Sequence, residues 1–178
     1  MTTDNRRANT KKAIQNAMVT LLKTKSFDDI KTTKLAKEAG ISRSSFYTHY
    51  KDKFELIDSC QQTLFNQIEY IFEKHVGDKE AAFLEIFEFL KREQLLSALI
   101  SANGTREFQT FIVNKVRLFI NTDFQRRFKR EKLTPVEAEY SSIYLASAFF
   151  GLCQAWIANG KKESPRQMTN LVLKLLPM

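Results

Sequence analysis

Apolar residues recur every three or four positions from Ile14 almost to the end of this chain, and little interrupts them: its 178 residues include five glycines and three prolines. That rhythm belongs to amphipathic helices, and the shortage of turn formers leaves no room for the closely spaced reversals of a hairpin-built β protein. The expected fold class is all-α, with about nine helices. A chain of this length buries roughly 70% of its unfolded surface, so it needs no covalent staples. The two cysteines, Cys60 and Cys153, show no metal-ligand or disulfide-framework spacing.

The helix boundaries follow from local chemistry. Ile14, Met18, Leu21 and Leu22 place a first helix from Thr10 to about Thr24. Thr32 or Thr33 is expected to cap a second, short helix that Gly40 ends in the left-handed conformation. Ser42 opens a third, with Phe46, Tyr47 and Tyr50 on its apolar side. Asp52, with Glu55 three residues on, opens a long fourth helix reaching about His75. Beyond Gly77, two stripes (Phe83 to Leu90, Leu95 to Ile100) precede the Asn103-Gly104 break, and a third runs from Phe108 to Ile120. Thr134-Pro135 and Ser164-Pro165, each with Glu137 or Gln167 completing a capping pattern, start the last two helices.

Charge is unevenly distributed. Residues 1–51 carry a formal +7 and the other 127 residues +1, an asymmetry that points to a polyanion-binding segment attached to a near-neutral body. The expected division is a polyanion-binding domain over residues 1–51 and a near-neutral body over 52–178.

Residues 32–50 read helix, tight turn, helix. The second helix is short and begins with small hydroxyl donors (Ser42, Ser44, Ser45) beside Arg43, while Phe46 and Tyr50, one turn apart, anchor it from beneath. A helix end carrying small polar groups and one guanidinium fits the DNA major groove, and Arg43 is suited to bidentate recognition of a guanine. Thr32, Thr33, Lys34, Tyr47, His49 and Lys53 supply donors for flanking phosphates.

The stretch KTTKLAKEAGISRSSFYTHYKDKFEL resembles the helix-turn-helix of the TetR family of bacterial transcription regulators. The resemblance rests on Thr32, Ala39, Gly40, Ile41, Ser42, Ser45, Phe46, Tyr47, Tyr50 and Lys53 and spans roughly residues 10–58. It implies a three-helix head on a helical body. It places Thr32, Ser45, Tyr47, His49 and Lys53 where the family holds phosphates, and Thr33, Arg43, Ser44 and Thr48 where it reads bases. Ser44 departs from a frequent Gly or Pro, and Phe54 from a frequent Glu. The partners so implied are a palindromic double-stranded DNA operator, a second copy of the chain and a small-molecule effector that releases a repressor. The alternative is a body that binds another protein.

In the body, residues 143–157 are apolar almost all round, which asks for cover on more than one side. The expected solution is a two-fold bundle formed with the last helix, with Phe149, Phe150, Leu171 and Leu175 at the dimer interface and Ser147, Ala148 and Gly151 permitting close approach. Phe87, Phe111, Phe119, Cys153 and Trp156 are the expected pocket residues. The basic run Arg126, Arg127, Lys129, Arg130 and Lys132 reads as a solvated interhelical loop.

No catalytic set can be assembled from two histidines, two isolated cysteines and no Gly-rich phosphate loop, so neither an enzyme nor a bound cofactor or metal is expected. The polar, basic start lacks an apolar signal core, and residues 143–158, 16 in all and broken by Ser147 and Gln154, fall short of a membrane span. The cytoplasm is the expected compartment.

Overall fold

The computed structural model describes residues 3–131 and 134–175, without the side chains of residues 3 and 121–131. Among them run nine helices: α1 (Thr3–Leu22), α2 (Thr32–Glu38), α3 (Arg43–Tyr47), α4 (Lys53–Lys74), α5 (Lys79–Arg92), α6 (Gln94–Ile100), α7 (Arg106–Glu131), α8 (Pro135–Ala158) and α9 (Pro165–Leu175). They form two compact units, Met1–Gln67 with Glu93–Thr105, and Ile68–Arg92 with Arg106–Met178.

In the first unit α1 packs on α2 and α6, and α2 on α3. Ile14, Met18, Leu22, Ile30, Leu35, Phe46 and Leu56 are almost fully buried there. α1 begins well before the expected Thr10, because the preceding residues contain no glycine or proline and are largely tolerant of helix. Thr10 Oγ1 donates back to the Arg6 carbonyl at 2.9 Å. The cap of α2 also differs from expectation. Lys31 occupies that position without a side-chain bond, and Thr32 is already helical. Gly40 follows at φ +69°, the left-handed turn the sequence anticipates.

The second turn glycine acts by size. A Cβ on Gly104 would lie 1.7 Å from the Leu99 carbonyl oxygen, so only glycine lets the α6–α7 turn close. That closure presents Asn103 to the α1–α2 loop. Its Nδ2 donates to Leu22 O at 2.8 Å, and its carbonyl accepts from the Phe27 N–H at 2.8 Å.

In the second unit α7 packs along α8 and α5 along α9. Thr134 and Glu137 make the full capping box at α8. The Thr134 bonds hold the Glu137 carboxyl below the usual range. Ser164 and Gln167 exchange the equivalent bonds at α9. α7 continues to Glu131, so Arg126, Arg127, Lys129 and Arg130 belong to a helix and not to the expected loop. Lys132 lies outside the described residues.

α8 departs furthest from the sequence reading. The capping box starts it at Pro135, so the helix is 24 residues long, and one 18-residue window reaches a mean hydropathy of 1.3. By length and composition it satisfies the membrane criterion that the shorter apolar stretch fails. Leu145, Ala146, Cys153 and Trp156 face inward, whereas Tyr140, Ile143, Tyr144, Ser147, Ala148, Gly151 and Ala155 form an exposed stripe down the opposite side.

Candidate nucleic-acid interface

α3 is five residues long, too short to hold itself together, so its geometry is imposed by its cap and its core contact. Ser42 Oγ accepts from the Ser45 N–H at 3.0 Å and lies 2.9 Å from Ser44 Oγ. Phe46, fully buried, is the anchor beneath, touching Tyr47 edge-on with centroids 5.8 Å apart and Tyr50 at 6.0 Å. Arg43, Ser44, Tyr47 and Thr48 are exposed, as are Thr33 and Lys34 on α2, with Thr32, Ser45 and His49 half-buried. Nine of the ten expected DNA-contacting residues thus have groups available at the surface of one compact unit.

The tenth is Lys53 at the start of α4, which is half-buried like Thr32, Ser45 and His49. Its ammonium donates to Phe27 O at 2.7 Å and Asp28 O at 2.8 Å, and lies over the rings of Phe27 and Phe54. Burial lowers its pKa, with Asp28 and Asp29 opposing the shift. The backbone of the α1–α2 loop competes for this ammonium, and a sequence motif cannot show that. Phe54, half exposed, packs edge-on against Phe27 at 5.4 Å.

His49 sits in a basic setting. Burial, then Arg7 and Lys11, lower its pKa from 6.5. Lys11 Nζ also lies 5.7 Å from the Tyr50 ring centroid. Neither Arg7 nor Lys11 is among the expected DNA-contacting residues. Because α1 starts early, the two residues lie one turn apart on a helix, where i and i+4 share a face. That spacing was the available signal.

Residues 14–60 match the family model for bacterial regulatory proteins of the tetR family, and residues 77–177 match that for a transcriptional regulator C-terminal region of the TetR type. The chain belongs to the TetR family. It is therefore a DNA-binding transcription regulator and not an enzyme. TetR-family regulators are soluble DNA-binding proteins.

Among relatives, an uncharacterized helix-turn-helix-type transcriptional regulator of Bacillus subtilis, YxbF, is 21% identical across 92% of this chain. The chain spans 43% of that relative's length. A TetR transcriptional regulator from Streptococcus agalactiae has the same fold, with a TM-score of 0.64, 20% identity and coverage of 98% of this chain and 97% of that one. FadR from Bacillus subtilis, solved in complex with stearoyl-CoA, superposes with a TM-score of 0.66 at 15% identity, covering 92% and 95%.

In the TetR body, the expected pocket and interface residues are partly redistributed. Phe87 and Trp156 meet edge to face at 5.3 Å, both essentially fully buried, and the indole N–H donates to Glu163 O. Phe119 stacks on Phe72 at 4.0 Å. Lys115 Nζ lies 5.5 Å from the Phe111 ring centroid. Cys153 is buried and its thiol is pushed up to about 12 by desolvation, so it is packing and not a nucleophile.

Phe149, expected at the dimer interface, turns inward against Phe83 and Phe87, with centroids 5.2 and 5.9 Å away. Phe150 is half-buried. The reason is helical phase: the outward face of α8 is set by Tyr140, Tyr144 and Gly151, and Phe149 lies well around from it. Leu171 and Leu175 on α9 are exposed as expected, at 42% and 64%.

Proposed function

We propose that this TetR-family regulator is a dimeric repressor that places α3 in the major groove at each half of a palindromic operator and is released by a small apolar effector. The observation that carries the DNA reading is α3 itself. A capped, core-anchored helix displays Arg43, Ser44, Tyr47 and Thr48 outward, and groups of this size and polarity are what a major groove admits. Arg43, Ser44, Thr33 and Thr48 face bases; Thr32, Lys34, Ser45, Tyr47 and His49 face phosphates.

Two copies are required because half-sites lie about 34 to 36 Å apart or at multiples of that spacing. The exposed stripe of α8, with Leu171 and Leu175 of α9, supplies the self-complementary face. The apolar character of the expected pocket residues Phe87, Phe111, Phe119, Cys153 and Trp156 favours an apolar effector, and the stearoyl-CoA complex of Bacillus subtilis FadR supports a ligand of that kind. The functional division at residue 51 and a cytoplasmic location belong to the same reading.

The test is selection from a randomised duplex pool, followed by a salt titration of the selected site. Phosphate contacts predict that affinity falls steeply as salt rises. A protein that enriches no duplex refutes the reading. Arg43→Ala should weaken the selected site by about 1 to 3 kcal/mol and relax preference at one base step. Equal loss on all sequences would remove Arg43 from base reading.

A further inference from the structure

Arg43 is a long, exposed side chain at the first position of a five-residue helix, and nothing about that position alone fixes where its guanidinium points. The structure supplies a support. Arg43 Cζ lies 5.5 Å from the centroid of the Tyr47 ring, within the range at which a guanidinium is held by an aromatic face. The two residues are four apart, one helical turn, so their side chains meet on one side of α3.

Tyr47 is itself held. Its ring meets Phe46 nearly perpendicularly, at 88°, and Phe46 has no solvent exposure. Tyr47 remains 45% exposed. A path of contacts therefore runs from the core through Phe46 to Tyr47 and on to the guanidinium.

We infer that Tyr47 is a specificity-determining positioning residue: its ring face orients Arg43 for base recognition, in addition to any contact its hydroxyl makes. A planar guanidinium stacked on a ring keeps its edge N–H donors free, and those are the donors a guanine edge accepts. Holding them in place before contact reduces the ordering cost that a free arginine meets on binding. This inference rests on the proposed DNA reading.

The experiment compares wild type, Tyr47→Phe, Tyr47→Ala, Arg43→Ala and the Arg43→Ala/Tyr47→Ala double variant, all as full chains. Fluorescence anisotropy is read on the duplex selected by wild type and on its single-base variants. Tyr47→Phe keeps the ring and should keep discrimination at every step. Tyr47→Ala should lower discrimination by about two- to fivefold, the range for an exposed cation–π contact, at the same step that Arg43→Ala abolishes. In the Arg43→Ala background the Tyr47 change should have no further effect on that ratio.

A structural role would lower affinity evenly across sequences, leaving the ratio unchanged. Loss in Tyr47→Phe equal to that in Tyr47→Ala overturns the inference, because it assigns the effect to the hydroxyl. So does an undiminished Tyr47→Ala effect on discrimination without Arg43. If wild type enriches no duplex at all, the DNA reading falls and takes this inference with it. The melting temperature of each variant, followed by circular dichroism, separates these outcomes from unfolding.

Discussion

Replacing Gly151 with leucine separates the requirements of one protomer from those of the pair. Within the protomer, a Cβ built at Gly151 meets nothing within 4 Å, so the longer side chain enters open space. The helix itself gains, since Gly is about 0.8 to 1 kcal/mol less favourable than Ala in a helix interior and leucine is close to Ala. In the proposed dimer the same position lies where Ser147, Ala148 and Gly151 let two copies of α8 approach. Overpacking of a fitted contact costs about 1 to 3 kcal/mol, and a two-fold axis applies it twice.

The net effect is about 2 to 6 kcal/mol against association, a rise in the dimer Kd of roughly 30-fold to 20,000-fold. Sedimentation velocity across a concentration series measures this directly, and thermal melting at the lowest concentration checks that the protomer is not weakened. A Gly151→Leu protein with an unchanged dimer Kd would refute the close approach of α8 and move the interface elsewhere. Operator affinity should fall in step with dimer loss, because one recognition helix then binds alone.

Lys53→Ala should lower the stability of the first unit by about 1.5 to 3 kcal/mol, the range for hydrogen bonds from a charged donor, because the Phe27 and Asp28 carbonyls lose their partner. Urea unfolding reads this, and an unchanged midpoint would show that the two carbonyls do not need the ammonium. Gly104→Ala should destabilise by about 3 kcal/mol, the upper end for an added carbon in a packed site, since the new Cβ meets backbone and not a movable side chain. A neutral Gly104→Ala melting curve would contradict that closeness.

The pH dependence follows from His49, whose folded pKa lies below 6.5. Its contribution to stability is present above pH 6.5 and is lost as pH falls through the folded value, because the unfolded ring binds the proton more readily. Melting temperatures from pH 7.5 to 5 should fall less steeply in His49→Gln than in wild type, and parallel curves would exclude the histidine as the cause.

Much of the candidate interface was legible in order. Ser42 was read as the start of α3, Gly40 as the turn and Phe46 as the anchor, because each depends on a residue's chemistry relative to its immediate neighbours. The helix starts at Thr134 and Ser164 were legible for the same reason, as reciprocal bonds across three residues. The missed features were competitions between distant groups. Lys53 has the residue type and position of a phosphate contact, and two carbonyls 25 and 26 residues earlier in the chain also accept from its ammonium. Phe149 and Tyr144 are both large and aromatic on one helix, but only the phase of α8 against its neighbours turns one onto Phe83 and Phe87 and leaves the other 72% exposed.

By itself the amino-acid order determined the helices, most of their caps and the chemical character of α3, since these arise from bonds spanning a few residues and from the 3.6-residue period. Tertiary structure alone decided which carbonyls bond the Lys53 ammonium, that Gly104 is obligatory because Leu99 backbone fills the space beside it, and which side of α8 stays uncovered. Those outcomes depend on what lies across the core from each side chain, and a local pattern contains no record of its opposite wall.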